Sequence, residues 1–135
     1  MQAPAQHEAR TLVSGAYEAF ARGDVPAVLA VMHPSIEWTE AEGSPYAGTY
    51  VGTDAVKEGV FARLGSEWER FEAVPSELIV DGGRVVVLGE LRGTYKATGR
   101  SFRSPFAHVW WLESGKAIRF RVFTDTDPVQ RAMER

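Results

Sequence analysis

Apolar positions in the first third of the chain recur at helical spacing. Leu12, Ala16 and Phe20 lie four apart, with Val13 and Tyr17 beside them, which predicts one helix with a single buried stripe. Gly23 is placed to end it, and Asp24 to cap a second helix in which Val25, Val28, Leu29 and Met32 share a face. His33-Pro34 stops that helix, because a residue before proline avoids the α region. "SIEWTE" then alternates. Ile36, Trp38 and Glu40 fall on one face of a short strand, Glu37 and Thr39 on the other. The glycine- and proline-rich "EGSPYAGTYVG" reads as a loop. After it, Thr53 can cap a third helix carrying Val56, Val60, Leu64 and Trp68 on one face, with Phe61 adjacent.

From Phe71 the period changes to two. Strands are predicted at Phe71–Val80, Arg84–Tyr95, Ser101–Leu112 and Ala117–Thr124, separated by "DGG", "ATG" and "ESG" turns. Asp127, with Pro128 behind it, can open a short last helix. Helices grouped ahead of an antiparallel meander argue for an α+β fold rather than a parallel βαβ one. With no linker or repeat, residues 1–135 are expected to form one domain.

The hairpins place side chains on faces. A two-residue loop at Ser114-Gly115 would set Trp110 opposite Arg119, His108 opposite Arg121, Phe106 opposite Phe123 and Ser104 opposite Asp125. A two-residue loop at Thr98-Gly99 would set Gly89 opposite His108, leaving space beside the imidazole. One face then carries a histidine, two arginines, a carboxylate and several aromatics, the composition of a pocket lining. The other carries Ala107, Val109, Trp111, Ile118, Phe120 and Val122 and needs a cover, for which a second subunit is a candidate. A one-residue bulge would flip one strand's assignment.

Composition narrows the chemistry. A 44% hydrophobic fraction supplies a core, and a net charge of -3 with scattered basic residues gives no footprint for nucleic acid. Absence of cysteine excludes disulfides, thiolate metal sites and cysteine nucleophiles. His7 and His33 stand far from His108 in the element order, so no metal site is expected. The glycines of "GSPYAGTYVG" lack the spacing and context of a phosphate loop, and no cofactor is expected. No apolar run approaches a membrane span, and "MQAPAQHEAR" lacks an apolar signal core. A cytoplasmic protein without membrane contact is therefore expected.

The segments "ARGDVPAVLAVMHPSIEW", "GSPYAGTYVG", "FAHVWWLESGKAIRF" and "VFTDT" carry a resemblance. Over roughly Leu12 to Met133 the chain resembles SnoaL-like, ketosteroid-isomerase-related proteins of the nuclear-transport-factor-2-like superfamily. The resemblance implies a cone-shaped pocket, made by a curved antiparallel sheet wrapped over three N-terminal helices. It also implies homodimerisation through the outer sheet face. Activity does not follow from the fold, which hosts isomerases, cyclases, dehydratases, epoxide hydrolases and non-catalytic binders.

Residue by residue the carry-over is mixed. The position resembling the isomerase's aspartate base is Trp38, with Glu40 the nearest substitute. Ala16 stands at the oxyanion tyrosine, with Tyr17 next to it. The second oxyanion donor falls near His108. "RVFTD", with Arg121 and Asp125, resembles a strand of limonene epoxide hydrolase, and an aspartate base like that of SnoaL-type cyclases is compatible with Asp125. The standard isomerase route is therefore not expected.

His108 is the first candidate for acid/base work, since its reference pKa of ~6.5 is close to neutrality. Alternatively it anchors the pocket by hydrogen bonds. Asp125 is either a base, a partner for Arg121, or a cap near the last helix. Glu40 is a reserve base expected to reach solvent at its strand end. Trp38, Phe106, Trp110 and Phe123 are expected wall residues, with Tyr17 and Arg121 among the ligand contacts. Tyr46 and Tyr50 either close over a ligand or staple their own loop. The function expected is a pocket protein for a small hydrophobic molecule. It is either an acid/base enzyme of isomerase, cyclase, dehydratase or hydrolase type, or a non-catalytic binding or dimerisation module.

Overall fold

The computed structural model describes residues 3–135. Helices α1 (Ala3–Ala21) and α2 (Val25–Ala30) come first, followed by strands β1 (Met32–Glu40) and β2 (Gly48–Val51). Helix α3 (Thr53–Val56) runs through a π-helical turn (Lys57–Phe61) into α4 (Ala62–Glu67). Strands β3 (Trp68–Asp81), β4 (Arg84–Tyr95), β5 (Ser101–Glu113) and β6 (Lys116–Thr124) form the meander, and α5 (Asp127–Met133) closes the chain.

Local chemistry explains most boundaries. Gly23 turns at φ +74, and Asp24 Oδ1 accepts from the Ala27 amide at 3.1 Å to cap α2. The third helical segment differs from expectation: Gly52, at φ +91, occupies its N-cap, and Thr53 is already helical. Trp68 is not helical either. Its backbone is extended (φ -111, ψ 138), because β3 starts three residues earlier than its alternation suggests. Gly48–Val51, expected as loop, pairs with β1 as an edge strand. The α5 cap also differs. Asp127 is the first helical residue, and Asp125 Oδ1 accepts its amide at 3.2 Å.

The six strands form one sheet in the order β2-β1-β6-β5-β4-β3. All pairs are antiparallel except β1–β6, so the sheet is mixed rather than wholly antiparallel. The parallel pair arises because helices and β2 intervene between β1 and the meander, and the last meander strand returns beside β1. Single extra residues at Glu69, Ser76 and Ile118 make bulges, each of which bends its strand. The curved sheet packs α1 against β3 and β4, and α5 against β5.

The bulge at Ile118 corrects the predicted register. Ser114 and Gly115 do form a two-residue loop, both at positive φ, and Glu113 faces Lys116. Beyond Ile118 the pairing slips by one, so Trp111 faces Arg119, Trp110 faces Phe120 and His108 faces Val122. Phe120 and Val122 thereby turn inward, and Arg119, Arg121 and Phe123 turn outward. The β4–β5 loop is also longer than two residues. Val87, not Gly89, faces His108, while Gly89 and Gly93 face Phe106 and Phe102. A side chain on Gly89 would strike the Phe106 ring and the Val74 carbonyl. The glycine gap is therefore filled by a ring and does not open beside the histidine. The β5 face itself is as expected: Phe102, Ser104, Phe106, His108 and Trp110 are all buried.

Candidate functional site

Between the helices and the concave sheet face lies a cavity of about 90 Å³. Its walls come from α1 (Tyr17, Phe20), the π-helical turn (Val60, Phe61) and the sheet (Trp38, Trp110, Phe120). The indole of Trp38 stacks on Phe120 at 3.8 Å between centroids, and Trp110 meets both rings edge-on at 6.2 and 4.5 Å. Glu40 and His108 are set in this apolar lining.

His108 is 6% exposed and stacks on Phe106 at 3.9 Å. Its Nδ1 lies 2.6 Å from the Tyr17 hydroxyl, and Trp110 Nε1 lies 3.0 Å from that same hydroxyl. An indole N–H can only donate. Tyr17 therefore accepts from Trp110 and has one proton left, for which Nδ1 is the acceptor. A neutral imidazole that accepts at Nδ1 carries its own proton on Nε2. Among the described residues no hydrogen bond engages Nε2, and no side-chain polar atom is sealed without a partner. With His108 in the lining, Nε2–H is a donor directed at the cavity. Burial pushes the imidazole down to about 3, so it is neutral at ordinary pH. Burial likewise pushes the Tyr17 hydroxyl well above the usual phenol range, against the opposing pull of the Trp110 N–H.

Glu40 is the second polar group. Its Oε2 accepts from Trp38 Nε1 at 2.6 Å. Burial pushes its carboxyl up to about 7, and the Trp38 N–H holds it lower than burial alone would. Glu40 is half-buried: it keeps some of the exposure expected at the strand end and also lines the cavity. Trp38, two residues back on the same strand face, reaches along it and holds the carboxyl in the cavity.

Tyr46 both staples its loop and lines the cavity. Its hydroxyl donates to Glu67 Oε1 at 2.6 Å and accepts from Trp68 Nε1 at 2.8 Å, while Arg63 lies 4.3 Å over its ring. Tyr50 donates to the Tyr46 carbonyl at 2.7 Å. From the other side, Gln130 Nε2 donates to the Gly43 carbonyl at 2.6 Å. The segment Ala41–Ala47 is thereby tied to both α4 and α5.

Four of the expected site residues lie elsewhere. Phe106 is buried against His108 and over Gly89, outside the cavity lining. Asp125 is exposed beyond the end of β6, and it caps α5 without meeting Arg121. Arg121 is on the outer face with its guanidinium 5.0 Å over the ring of Phe123, itself 47% exposed. The Ile118 bulge accounts for both outward residues. Among the described residues no group of three or more His, Asp or Glu gathers as a metal site.

A family model described as a SnoaL-like domain matches residues 13–120. The chain belongs to the SnoaL-like domain family. An NTF2-like protein from Burkholderia thailandensis has 41% identity and a TM-score of 0.90, over 94% of this chain and 98% of that one. An NTF2-like protein of unknown function from Burkholderia pseudomallei has 37% identity and a TM-score of 0.88, over 95% and 98% of the two chains. TerC co-crystallized with polyporic acid has 28% identity and a TM-score of 0.85, over 95% and 99%. No curated protein matches the sequence.

Within this SnoaL-like fold, His108, Trp110, Tyr17, Trp38 and Tyr46 line the cavity as the sequence suggests, but the links between them are not legible there. Phe20, Phe61 and Phe120 were read as ordinary helix or outer-face residues. Their helical and strand spacings mark them only as buried, and nothing local to "GKAIRF" signals the bulge that turns Phe120 inward. Among the described residues no helix is long and apolar enough to cross a membrane.

Proposed function

We propose that this SnoaL-like protein is a proton-transfer enzyme acting on a small hydrophobic molecule held in the aromatic cavity. Its own side chains supply the acid and the base. Glu40 takes a proton from a carbon next to an electron-withdrawing group and returns it elsewhere. His108 donates a hydrogen bond from Nε2 to the oxygen on which negative charge develops. The observation that supports this reading is that a carboxyl and an imidazole line one apolar cavity, each held from behind by an indole N–H chain. A base poised near 7 suits proton abstraction at neutral pH. A neutral N–H donor in a dry site stabilises an oxyanion more strongly than it would in water. The same acid/base set serves isomerisation, cyclisation or dehydration.

The test is solvent exchange. In D2O the protein should accelerate α-deuteration of cyclohexanone, followed by proton NMR, and Glu40→Gln should lose that acceleration by roughly 10²–10⁴-fold. No rate above buffer for the unmodified protein, or an undiminished rate in Glu40→Gln, would refute the reading.

A second reading is a non-catalytic binding module. Trp38 favours it, because an indole fills the strand position where a related isomerase carries its base. Binding that survives both Glu40→Gln and His108→Phe, with no exchange by any form, would support it. We further propose that the outer sheet face pairs two copies of the chain within a cytoplasmic homodimer.

A further inference from the structure

We propose that the cavity selects an uncharged molecule of about single-ring size that presents one hydrogen-bond-accepting oxygen, and that it rejects carboxylates of the same shape. The inference rests on the same cavity as the proton-transfer reading, though not on turnover occurring there.

Four observations carry it. First, no lysine or arginine lines the cavity among the described residues. An anion placed inside would lose its hydration and find no counter-charge. The titratable side chains that do line it are Tyr17, Glu40, Tyr46 and His108. None of these is a cation at neutral pH, because burial keeps the imidazole unprotonated.

Second, the hydrogen-bond chain from Trp110 through Tyr17 fixes the direction of the His108 donor. Nδ1 is occupied as an acceptor, so the imidazole can only give a hydrogen bond to the cavity. A ligand oxygen satisfies it.

Third, Glu40 is already held by Trp38 and turns anionic as pH rises past neutrality. Its charge then adds repulsion to the desolvation that an incoming carboxylate must overcome.

Fourth, the free space of about 90 Å³ is far below the roughly 300–1,000 Å³ typical of drug-sized sites. Rings from Trp38, Phe61, Trp110 and Phe120 surround it, so an apolar ring is the body it best accepts. A larger guest requires the Ala41–Ala47 segment to move outward.

Two probes of one shape test this: cyclohexanone and cyclohexanecarboxylate, titrated into the unmodified protein at pH 8.5. Cyclohexanone should bind at least about 100-fold more tightly than cyclohexanecarboxylate, as expected for two unit charges within a few ångströms at an effective dielectric constant near 20. Its infrared carbonyl band should move to lower frequency on binding. His108→Phe should abolish that band shift, and Glu40→Gln should narrow the gap between ketone and carboxylate. Carboxylate binding as tight as the ketone overturns the inference, as does a bound ketone with an unshifted carbonyl band or no measurable binding of either probe. Should cyclohexanone bind with a shifted band but exchange no deuterium, the selection stands and the enzyme reading fails.

Discussion

Tyr17 and His108, 91 positions apart in sequence, meet hydroxyl to Nδ1 at 2.6 Å. The contact joins the first helix to the centre of the sheet, and with the Trp110 donor it assigns the imidazole proton to Nε2. Removing the hydroxyl breaks both bonds it makes. Tyr17→Phe leaves the Trp110 N–H and His108 Nδ1 buried without partners, a cost of roughly 1–3 kcal/mol for each group so left. Chemical denaturation should register the two together, a loss of roughly 2–6 kcal/mol. Nitrogen-15 chemical shifts of the imidazole should also change from one Nε2–H tautomer to a mixture. An unchanged tautomer in Tyr17→Phe would show that the hydroxyl does not set it.

The two cavity groups should shape stability against pH in opposite senses. His108 has a folded value near 3 and an ordinary value of 6.5. Between those limits the unfolded chain holds the extra proton, so the folded state gains stability as pH rises. Glu40 has a folded value near 7 against an ordinary 4.5. In that window the folded state holds the extra proton, so stability falls as pH rises. Each slope is about 1.4 kcal/mol per pH unit. From pH 4.5 to 6.5 they cancel. Urea denaturation across this range should show Glu40→Gln gaining stability with pH relative to the unmodified protein, and His108→Phe losing it. Parallel curves for all three proteins would contradict the burial of these groups.

How much of this was legible depends on where the determining contacts lie. The boundaries of β4 and β5 and the cap at Asp24 follow from period, turn residues and one side chain, all local. The inward face of β5 also survived a wrong loop length, because the predicted and observed β4–β5 pairings differ by two residues and so keep parity. The face of β6 did not survive, since Ile118 adds a single residue and changes parity. That error alone sent Arg121 and Phe123 to the pocket on paper and Phe120 to the outside. Tyr17 looked like a neighbour of the right position. Its role depends on where α1 lies over the sheet, a long-range packing outcome that no window of sequence contains. Glu40 shows a related limit: strand alternation gives its face, but not the bond from the Trp38 indole N–H that ties its carboxyl to the lining.

Gly59 shows how a close approach can reverse the usual ranking of helix residues. Alanine normally exceeds glycine in a helix by up to about 1 kcal/mol. A Cβ on Gly59 would instead overlap the Tyr50 ring, which is itself held by its hydrogen bond to the Tyr46 carbonyl. Gly59→Ala should therefore destabilise by roughly 1–3 kcal/mol, the usual cost of overpacking. In a Tyr50→Ala background the same change should become stabilising. A double-mutant cycle by thermal or urea unfolding measures the sign change. Additive effects would show that the ring does not press on Gly59.

The outer face carries the remaining prediction. The corrected register leaves Val86, Leu88, Ala107, Val109, Trp111 and Phe123 on one surface, crossed by arginines. Arg119 lies 5.2 Å over the Trp111 ring and Arg121 5.0 Å over Phe123, and Arg119 also stands 3.9 Å from Glu37. This surface is less apolar than a face holding Phe120 and Val122 would be. The arginines cover its rings only in part, since Phe123 stays 47% exposed. A strip of aromatic and aliphatic groups edged by arginine has the make-up of interface centres, where those residue types are enriched. If two copies pair here, Val109 sits near the middle of the contact. Val109→Glu would then bury an unpaired charge twice over and should shift the protein from dimer to monomer in sedimentation equilibrium. The melting temperature measured at high dilution should change little, because Val109 lies outside the core that holds each subunit together. A monomeric unmodified protein, or a Val109→Glu variant that stays dimeric, would place any pairing surface elsewhere.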